Sequence, residues 1–334
     1  MKDFQAIAKQ VQQKNFKPIY LLMGDEPYFI DKLAHYIQKQ ALTEDERSFN
    51  EIILYGKDVD AQTIVNEAKR YPMMAERVLV VVREAQDLRK WEALEDYAQH
   101  PQKSTVLVLA HKYKKIDKRK KLYKLLQKNH VVLESKKMYD NQIPVWIEQQ
   151  VKNRQCSITP KANQLLLESL GNDLGKIDME LDKLLLIVKS GSEIDDHIIE
   201  KHIGISKDYN NFELQKALRD KDLPRALTIQ KYFAANIKSH PLVLTLTVIF
   251  NYFSKLMIAH QAKDKSEAGL ARTLKVNPYF ARDYSAGMRH YSLRQCALIV
   301  SYLRECDRRA KGVENNMVSD GELLRELIYK IVCT

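Results

Sequence analysis

The stretch YPMMAER at residues 71–77, followed by the apolar run VLVVV at 78–82, marks a change from helix to strand on which we base the fold prediction. Four apolar residues upstream are spaced as one face of a helix: Ala61, Ile64, Val65 and Ala68. Pro72 ends this helix, because proline disfavours a helical conformation in the residue before it. We therefore predict a helix over 61–70, a corner with two methionines, and a buried strand.

Helices and strands alternate in this way over the first 140 residues. The predicted strands are the apolar runs at 18–23, 51–55, 78–82, 105–110 and 131–133. Between these strands the apolar residues have helical spacing. Asp25 is predicted to cap the helix after the first strand. This alternation is typical of a parallel sheet with right-handed crossovers.

The strand signal disappears after Tyr139, and helical patterns take its place. Three helices are predicted in the next segment, the first beginning at Thr159-Pro160 with a threonine cap and the last ending at Gly204. Seven more are predicted at 212–219, 224–236, 241–261, 267–274, 278–288, 291–311 and 319–332. The fold class is α/β plus all-α, with an α/β domain at 1–140, a small helical domain at 141–206 and a helical domain at 207–334.

The composition is that of an ordinary globular chain with a basic surface. Of its 334 residues 45% are hydrophobic, and the formal net charge is +11, so a polyanionic partner is plausible. The four cysteines have no CxxC spacing, which argues against a metal site or a disulfide framework. The amino terminus has no apolar signal core and no run of 18 apolar residues occurs, so we expect a cytoplasmic protein without a membrane partner.

The turn after the first strand invites a comparison with phosphate-binding loops. A P-loop needs free backbone amides and a lysine around the phosphates, whereas this turn reads GDEPYF at residues 24–29, with two acids and a proline. Arg83 follows the third strand, where a P-loop ATPase carries acids for magnesium. A G-x-G-x-x-G motif and the common nucleophile and metalloprotease motifs are also absent. We expect no nucleotide or other cofactor, no metal and no catalytic residue.

A dense basic run occupies residues 112–124. The candidates for a contact with DNA or another subunit within it are Lys114, Lys115, Lys118, Arg119, Lys120 and Lys121. A solvated helix face and a contact with nucleic acid or an acidic neighbouring subunit both explain the run, and both interpretations stay open.

Several motifs, in this order, resemble the delta subunit of the bacterial DNA polymerase III clamp loader. They are YLLMGDEPY at 20–28, DKRKKLYK at 117–124, GNDL at 171–174 with ELDKL at 180–184, FEL at 212–214, AL at 226–227, and Asp307 with Lys311. The resemblance extends over nearly the full chain. It implies a degenerate AAA+-like domain, a helical lid and a helical collar for oligomerisation.

The resemblance also implies a function in DNA replication. A delta subunit binds the sliding clamp (beta) and opens its ring for loading onto primed DNA, while neighbouring subunits of the gamma/tau and delta prime type handle ATP. DNA is a partner in the assembled complex. No catalytic site of the chain's own is implied, although the family is classed with DNA-directed DNA polymerase, a nucleotidyltransferase, as a holoenzyme subunit.

The family's clamp-binding element is an apolar plug on the helix before the third strand, which corresponds here to Tyr71, Met73 and Met74. The family more often has Leu-Phe or Phe-Phe there, and methionine suits an adaptable apolar pocket. The alternative is that both methionines pack beneath the sheet.

Two other functions compete with a clamp-loader role. One is a P-loop-type ATPase with a divergent loop, for which ATP affinity would be diagnostic. The other is a sequence-independent nucleic-acid-binding protein that uses the basic run, for which steeply salt-dependent binding to duplex DNA would be diagnostic.

Overall fold

The computed structural model describes residues 2–203, 206, 208–313 and 318–334. The chain forms two compact units, Met1–Met138 and Tyr139–Thr334. The predicted limits at Gly204 and at residue 207 lie outside the described residues, so the division of the second unit into two domains stays a prediction.

A parallel sheet forms the centre of the first unit. Its strands are β1 (Ile19–Gly24), β2 (Glu51–Tyr55), β3 (Val78–Arg83), β4 (Thr105–Lys112) and β5 (Val131–Ser135), in the spatial order β2-β3-β4-β1-β5. In the middle of the sheet Leu21 lies opposite Leu109 on one side and Val132 on the other. The predicted parallel α/β architecture is confirmed.

Helices cover both faces of this sheet. They are α1 (Lys2–Gln12), α2 (Pro27–Ala41), α3 (Glu44–Asn50), α4 (Ala61–Ala68), α5 (Glu92–Gln99) and α6 (Lys121–Asn129). One apolar cluster joins α1 and α2 to one face, and a second joins α4, α5 and α6 to the other. Burial on both faces explains why β1, β3 and β4 are continuous apolar runs rather than alternating ones.

The end of α4 and the cap of α2 differ from the prediction. The helix α4 ends at Ala68 rather than Arg70, because the Ala68 carbonyl accepts hydrogen bonds from the buried hydroxyls of Tyr97, at 3.2 Å, and Thr105, at 2.8 Å. The two hydroxyls take the place of the main-chain N–H group that a further helical turn would supply to this carbonyl. The cap of α2 is Glu26 and not Asp25, since the Glu26 carboxylate accepts the Tyr28 N–H at 3.3 Å.

The second unit is helical apart from two short strands. The helices are α7 (Ile143–Asn153), α8 (Pro160–Leu170), α9 (Leu174–Ile187), α10 (Asp196–Ile203), α11 (Asn211–Arg219), α12 (Leu223–Ala235), α13 (Leu242–Gln261), α14 (Glu267–Leu274), α15 (Pro278–His290), α16 (Leu293–Ala310) and α17 (Asp320–Val332). The prediction missed α7, and it missed the parallel pair of β6 (Ser157–Ile158) and β7 (Glu193–Ile194), whose two residues each are too short for a periodic signal.

The helix α13 is, among the described residues, the one that is long and apolar enough to cross a membrane by length and composition. Its buried side, which includes Tyr252, Phe253 and Leu256, packs in the apolar core formed by helices α11 to α17. This packing accounts for its apolar composition, because a central helix in a helical core needs a wide apolar face.

Gly24 closes β1 in a conformation that only glycine adopts easily. Its φ is +136°, and a Cβ at this position would lie 2.0 Å from the Ser135 carbonyl oxygen. The same oxygen accepts the Asp25 N–H at 2.8 Å, and the Ser135 hydroxyl donates to the Glu26 carbonyl at 2.8 Å. The turn therefore ties the ends of β1 and β5 together.

We expect Gly24→Ala to lower the free energy of unfolding by about 3 kcal/mol or more, because it combines backbone strain with a clash against main-chain atoms. Urea denaturation followed by circular dichroism measures this. Gly171→Ala is the control: its φ is +66° and its ψ is −150°, but no atom lies within 4 Å of the added Cβ, so strain alone costs about 1–3 kcal/mol. Equal losses in the two variants would contradict the close packing at Gly24.

Candidate functional site

The segment 69–77, which we call the methionine loop, displays its large side chains to solvent. It is irregular rather than helical, in agreement with the predicted corner between helix and strand. Met74 is fully exposed, Tyr71 is 81% exposed and Met73 is 55% exposed. The alternative that both methionines pack beneath the sheet is therefore wrong.

A buried side chain from another element holds the methionine loop. Asn50, at the end of α3, is 1% exposed. Its Oδ1 accepts the Met73 N–H at 2.7 Å, and its Nδ2 donates to the Met73 carbonyl at 2.9 Å and to the Glu46 carbonyl at 2.9 Å. Both the oxygen and the NH2 group of this side-chain amide are thus bonded to main chain.

Sequence reasoning missed α3 and with it Asn50. A signal for the helix was present, since Thr43 and Glu46 have the spacing of a capping box. The Glu46 carboxylate accepts the Thr43 N–H at 2.8 Å and the Thr43 hydroxyl at 2.9 Å. These hydrogen bonds lower the pKa of Glu46. Phe49, also on α3, is 65% exposed.

The backbone of the methionine loop is strained at its tip and anchored at its end. Met74 has a φ of +51°, a left-handed conformation that costs a residue with a Cβ about 1–2 kcal/mol. After the tip, the Arg77 guanidinium lies over the Phe16 ring, 4.6 Å from its centroid, and pairs with Glu76 at 2.7 Å. The loop is therefore fixed by polar and cation–π contacts and not by burial of its methionines.

The basic run is largely engaged with acids of its own unit. The Lys112 ammonium lies 2.9 Å from Asp31 and 2.7 Å from Glu84. Burial alone would lower the pKa of Lys112, but the hydrogen bonds to these two carboxylates outweigh it and raise the pKa. Of the candidate residues, Lys115 lies 2.7 Å from Asp25 and 3.5 Å from Glu134.

The next candidates are paired as well. Lys118 lies 2.6 Å from Glu134, and the hydrogen bond between them lowers the pKa of Glu134 and raises that of Lys118. Arg119 pairs with Asp117 at 2.7 Å, and Lys121 lies 4.0 Å from Glu95.

Lys114, Lys120 and Lys124 are exposed and have no acidic partner among the described residues. The candidates therefore do not form one uniform cationic face. The helix α6 begins within this run, at Lys121, because the Asp117 side chain accepts the Arg119 N–H at 2.9 Å and stabilises a turn before it.

The turn after β1 is closed to a phosphate by the protein's own groups. The N–H groups of Asp25 and Glu26 point at the Ser135 carbonyl, at 2.8 and 3.4 Å, and the Asp25 carboxylate is paired with Lys115. At the end of β3 the exposed Arg83 lies 3.5 Å from the Tyr55 hydroxyl. Over the described residues, no three His, Cys, Asp or Glu side chains cluster as a metal site requires.

Comparison with known proteins shows which proteins this chain resembles. A family model described as "DNA polymerase III, delta subunit" matches residues 20–136. The DNA polymerase III subunit delta of Bacillus subtilis (strain 168) is 26% identical, over 96% of this chain and 94% of the relative. The chain therefore resembles the DNA polymerase III delta subunit in sequence over nearly its full length.

A solved structure of a delta protein shares the fold. The Bacillus subtilis DNA clamp loader delta protein (YqeN) matches with a TM-score of 0.55 and 22% identity, covering 99% of this chain and 100% of that one. The predicted resemblance to delta and the predicted AAA+-like α/β plus helical fold class are confirmed. The roles of the methionine loop and of the basic run stay predictions.

We expect the isolated chain to bind no Mg-ATP in the micromolar range, because the Asp25 and Glu26 amides and the Lys115 ammonium are already engaged. Isothermal titration calorimetry measures this. The control is Lys115→Ala, which shows whether any heat that is observed arises at this turn. A micromolar dissociation constant that Lys115→Ala abolishes would contradict the expectation.

Proposed function

We propose that this delta-family chain binds the sliding clamp through the methionine loop and opens the ring for loading onto primed DNA. The observation that carries the proposal is the exposure of Tyr71, Met73 and Met74 on a loop fixed by other groups. Exposed apolar side chains on a fixed backbone are what a partner with an apolar pocket binds most strongly.

The energetics of the loop suit a small hot spot. Full burial of a methionine side chain contributes about 1.5–3 kcal/mol of binding free energy. Met74 is fully exposed, so its burial would contribute this full amount. Met73 is already half-buried, so its gain is about half as large. Tyr71 would lie at the rim, where its ring covers the methionines and its hydroxyl stays in water.

Opening of the ring requires no bond chemistry from this chain. A clamp fluctuates between closed and open forms, and a protein that binds the open form more tightly shifts the population toward it by the difference in the two affinities. The rigid sheet behind the loop lets binding at one point act on the whole clamp subunit. Loop contacts that fit only the open ring would supply this difference.

The second unit has a surface suited to assembly with other loader subunits. On α13, four large apolar side chains are about half-exposed on one side of the helix: Val243, Leu244, Phe250 and Ile258. Large apolar side chains exposed on one side of a helix are typical of a subunit interface. We infer that residues 207–334 form a collar that binds subunits of the gamma/tau and delta prime type, with 141–206 as a lid, in the cytoplasm.

DNA in the assembled complex remains a further partner in this proposal. Lys114, Lys120 and Lys124 are the cations of the basic run that are free of acidic partners among the described residues. Three such charges give weak and salt-dependent binding, which fits a supporting contact within the loader better than a free-standing nucleic-acid-binding protein.

We expect the double variant Met73→Ala, Met74→Ala to lose at least about thirtyfold in clamp affinity, or about 2 kcal/mol, while its melting temperature stays close to that of the wild type. The side chains are exposed in the free protein, so their truncation leaves no cavity. Surface plasmon resonance with the cognate clamp and thermal melting measure the two quantities.

Met179→Ala is the matched control for this experiment. Met179 lies on α9, is 57% exposed and so resembles Met73 in type and exposure, yet it lies in the other unit. It should leave clamp affinity unchanged. The clamp-binding proposal is wrong if the double variant binds the clamp like the wild type, and core packing is indicated if its melting temperature falls steeply.

We expect Phe250→Glu with Ile258→Glu to abolish assembly with the other loader subunits, as deletion of 212–334 should, because two carboxylates would be buried at an apolar interface. Analytical ultracentrifugation of the mixed subunits measures assembly. Leu186→Glu, at an 88% exposed position on α9, is the control and should assemble normally. A loader that forms with the α13 variant would exclude this face as the interface.

A further inference from the structure

The side chain of Asn50 is built to hold one particular residue of the methionine loop. It pairs with both the N–H and the carbonyl of Met73, at 2.7 and 2.9 Å, much as one strand of a sheet pairs with another. Its second amide proton is bonded to the Glu46 carbonyl. A buried asparagine with all of these bonds made has one stable orientation.

The position of Asn50 in the fold explains this contact. It immediately precedes β2, whereas Met73 lies five residues before β3, and β2 and β3 are adjacent with Glu51 opposite Leu79. Both residues therefore approach the same edge of the sheet. Asn50 is the last residue of α3, whose first turn is fixed by Thr43 and Glu46.

The residue after Met73 needs such support. Met74 holds a left-handed backbone conformation and its side chain is fully exposed, so no side-chain packing of its own stabilises that conformation. Conformations of this kind persist only where the surroundings impose them. The bonds from Asn50 fix the backbone immediately before it.

We propose, on the basis of the clamp-binding role above, that Asn50 is a positioning residue that keeps the methionine loop in the conformation that binds the clamp. Asn50 is nearly inaccessible to a partner and acts through Met73 and Met74. When only part of the population is competent, the apparent affinity falls by that fraction. Asn50 raises the competent fraction before the clamp arrives.

The first experiment examines the loop without the clamp. In Asn50→Ala the Met73 amide should exchange with solvent at least about tenfold faster, because two hydrogen bonds at this residue are lost. Nuclear magnetic resonance measures this rate. Unchanged protection of the Val80 and Val81 amides in β3 shows that the sheet stays folded. Asn66→Ala, at an exposed asparagine on α4 that bonds to Gln62, is the control and should leave Met73 exchange unchanged.

A second variant covers the case in which Asn50→Ala does not fold. Asn50→Asp has the same shape and keeps the acceptor for the Met73 N–H, but it places a carboxylate oxygen opposite the Met73 and Glu46 carbonyls. It should also increase Met73 exchange. Met73 protection at the wild-type level in the folded variant would overturn the proposal.

The second experiment separates positioning from contact through clamp-binding kinetics. Asn50→Ala should lower the association rate constant roughly tenfold and change the dissociation rate constant by less than about twofold, because only the competent fraction changes. Met73→Ala should instead raise the dissociation rate constant. An Asn50→Ala effect confined to dissociation would overturn the proposal.

The two experiments also distinguish failure of this proposal from failure of the proposed function. A wild-type chain that does not bind the clamp would overturn the clamp-binding role, whereas the exchange rate of Met73 reports on the loop in either case. Faster Met73 exchange with unchanged clamp association would leave clamp binding intact and overturn positioning by Asn50.

Discussion

Burial of a parallel sheet on both faces is the constraint that organises the first unit. Helices cover both faces, so a partner would contact the unit mainly at the loops that join helices and strands at the two ends of the strands. Since all five strands run in the same direction, the methionine loop, which precedes β3, lies at the amino edge. Gly24, Lys112 and Ser135, which end their strands, lie at the carboxyl edge.

The carboxyl edge is where α/β proteins usually bind ligands, and here it is occupied by internal ion pairs and hydrogen bonds. Lysines of the basic run neutralise Asp25, Asp31, Glu84 and Glu134, and the Ser135 carbonyl takes the amides of the turn. These interactions stabilise the edge without a ligand.

The amino edge has the opposite character. There an asparagine, a helix end and an arginine over an aromatic ring fix a loop whose apolar side chains remain in water. Exposed methionines are unfavourable for the free protein, and a fixed backbone beneath them lowers the entropy lost when a partner covers them. An adaptable side chain on a rigid support can fill a pocket of imperfect fit.

The sequence by itself determined the five strands of the first unit, its helices other than α3, and most helix limits after residue 210, because apolar periodicity and capping residues are local signals. It also determined that the first turn lacks a P-loop, and its motifs predicted the resemblance to a delta subunit. The pair Thr43 and Glu46 would have predicted α3 had it been used.

Only the tertiary structure decided which of the candidate residues are exposed and which are paired with other side chains. The main chain of Met73 is bonded to Asn50, which lies 23 residues before Met73 in the chain, and no sequence pattern links the two residues. Whether the basic run is a free cationic face depends on acids from several other elements. Contacts between residues distant in sequence form only when the sheet brings their elements together, and so local patterns cannot encode them.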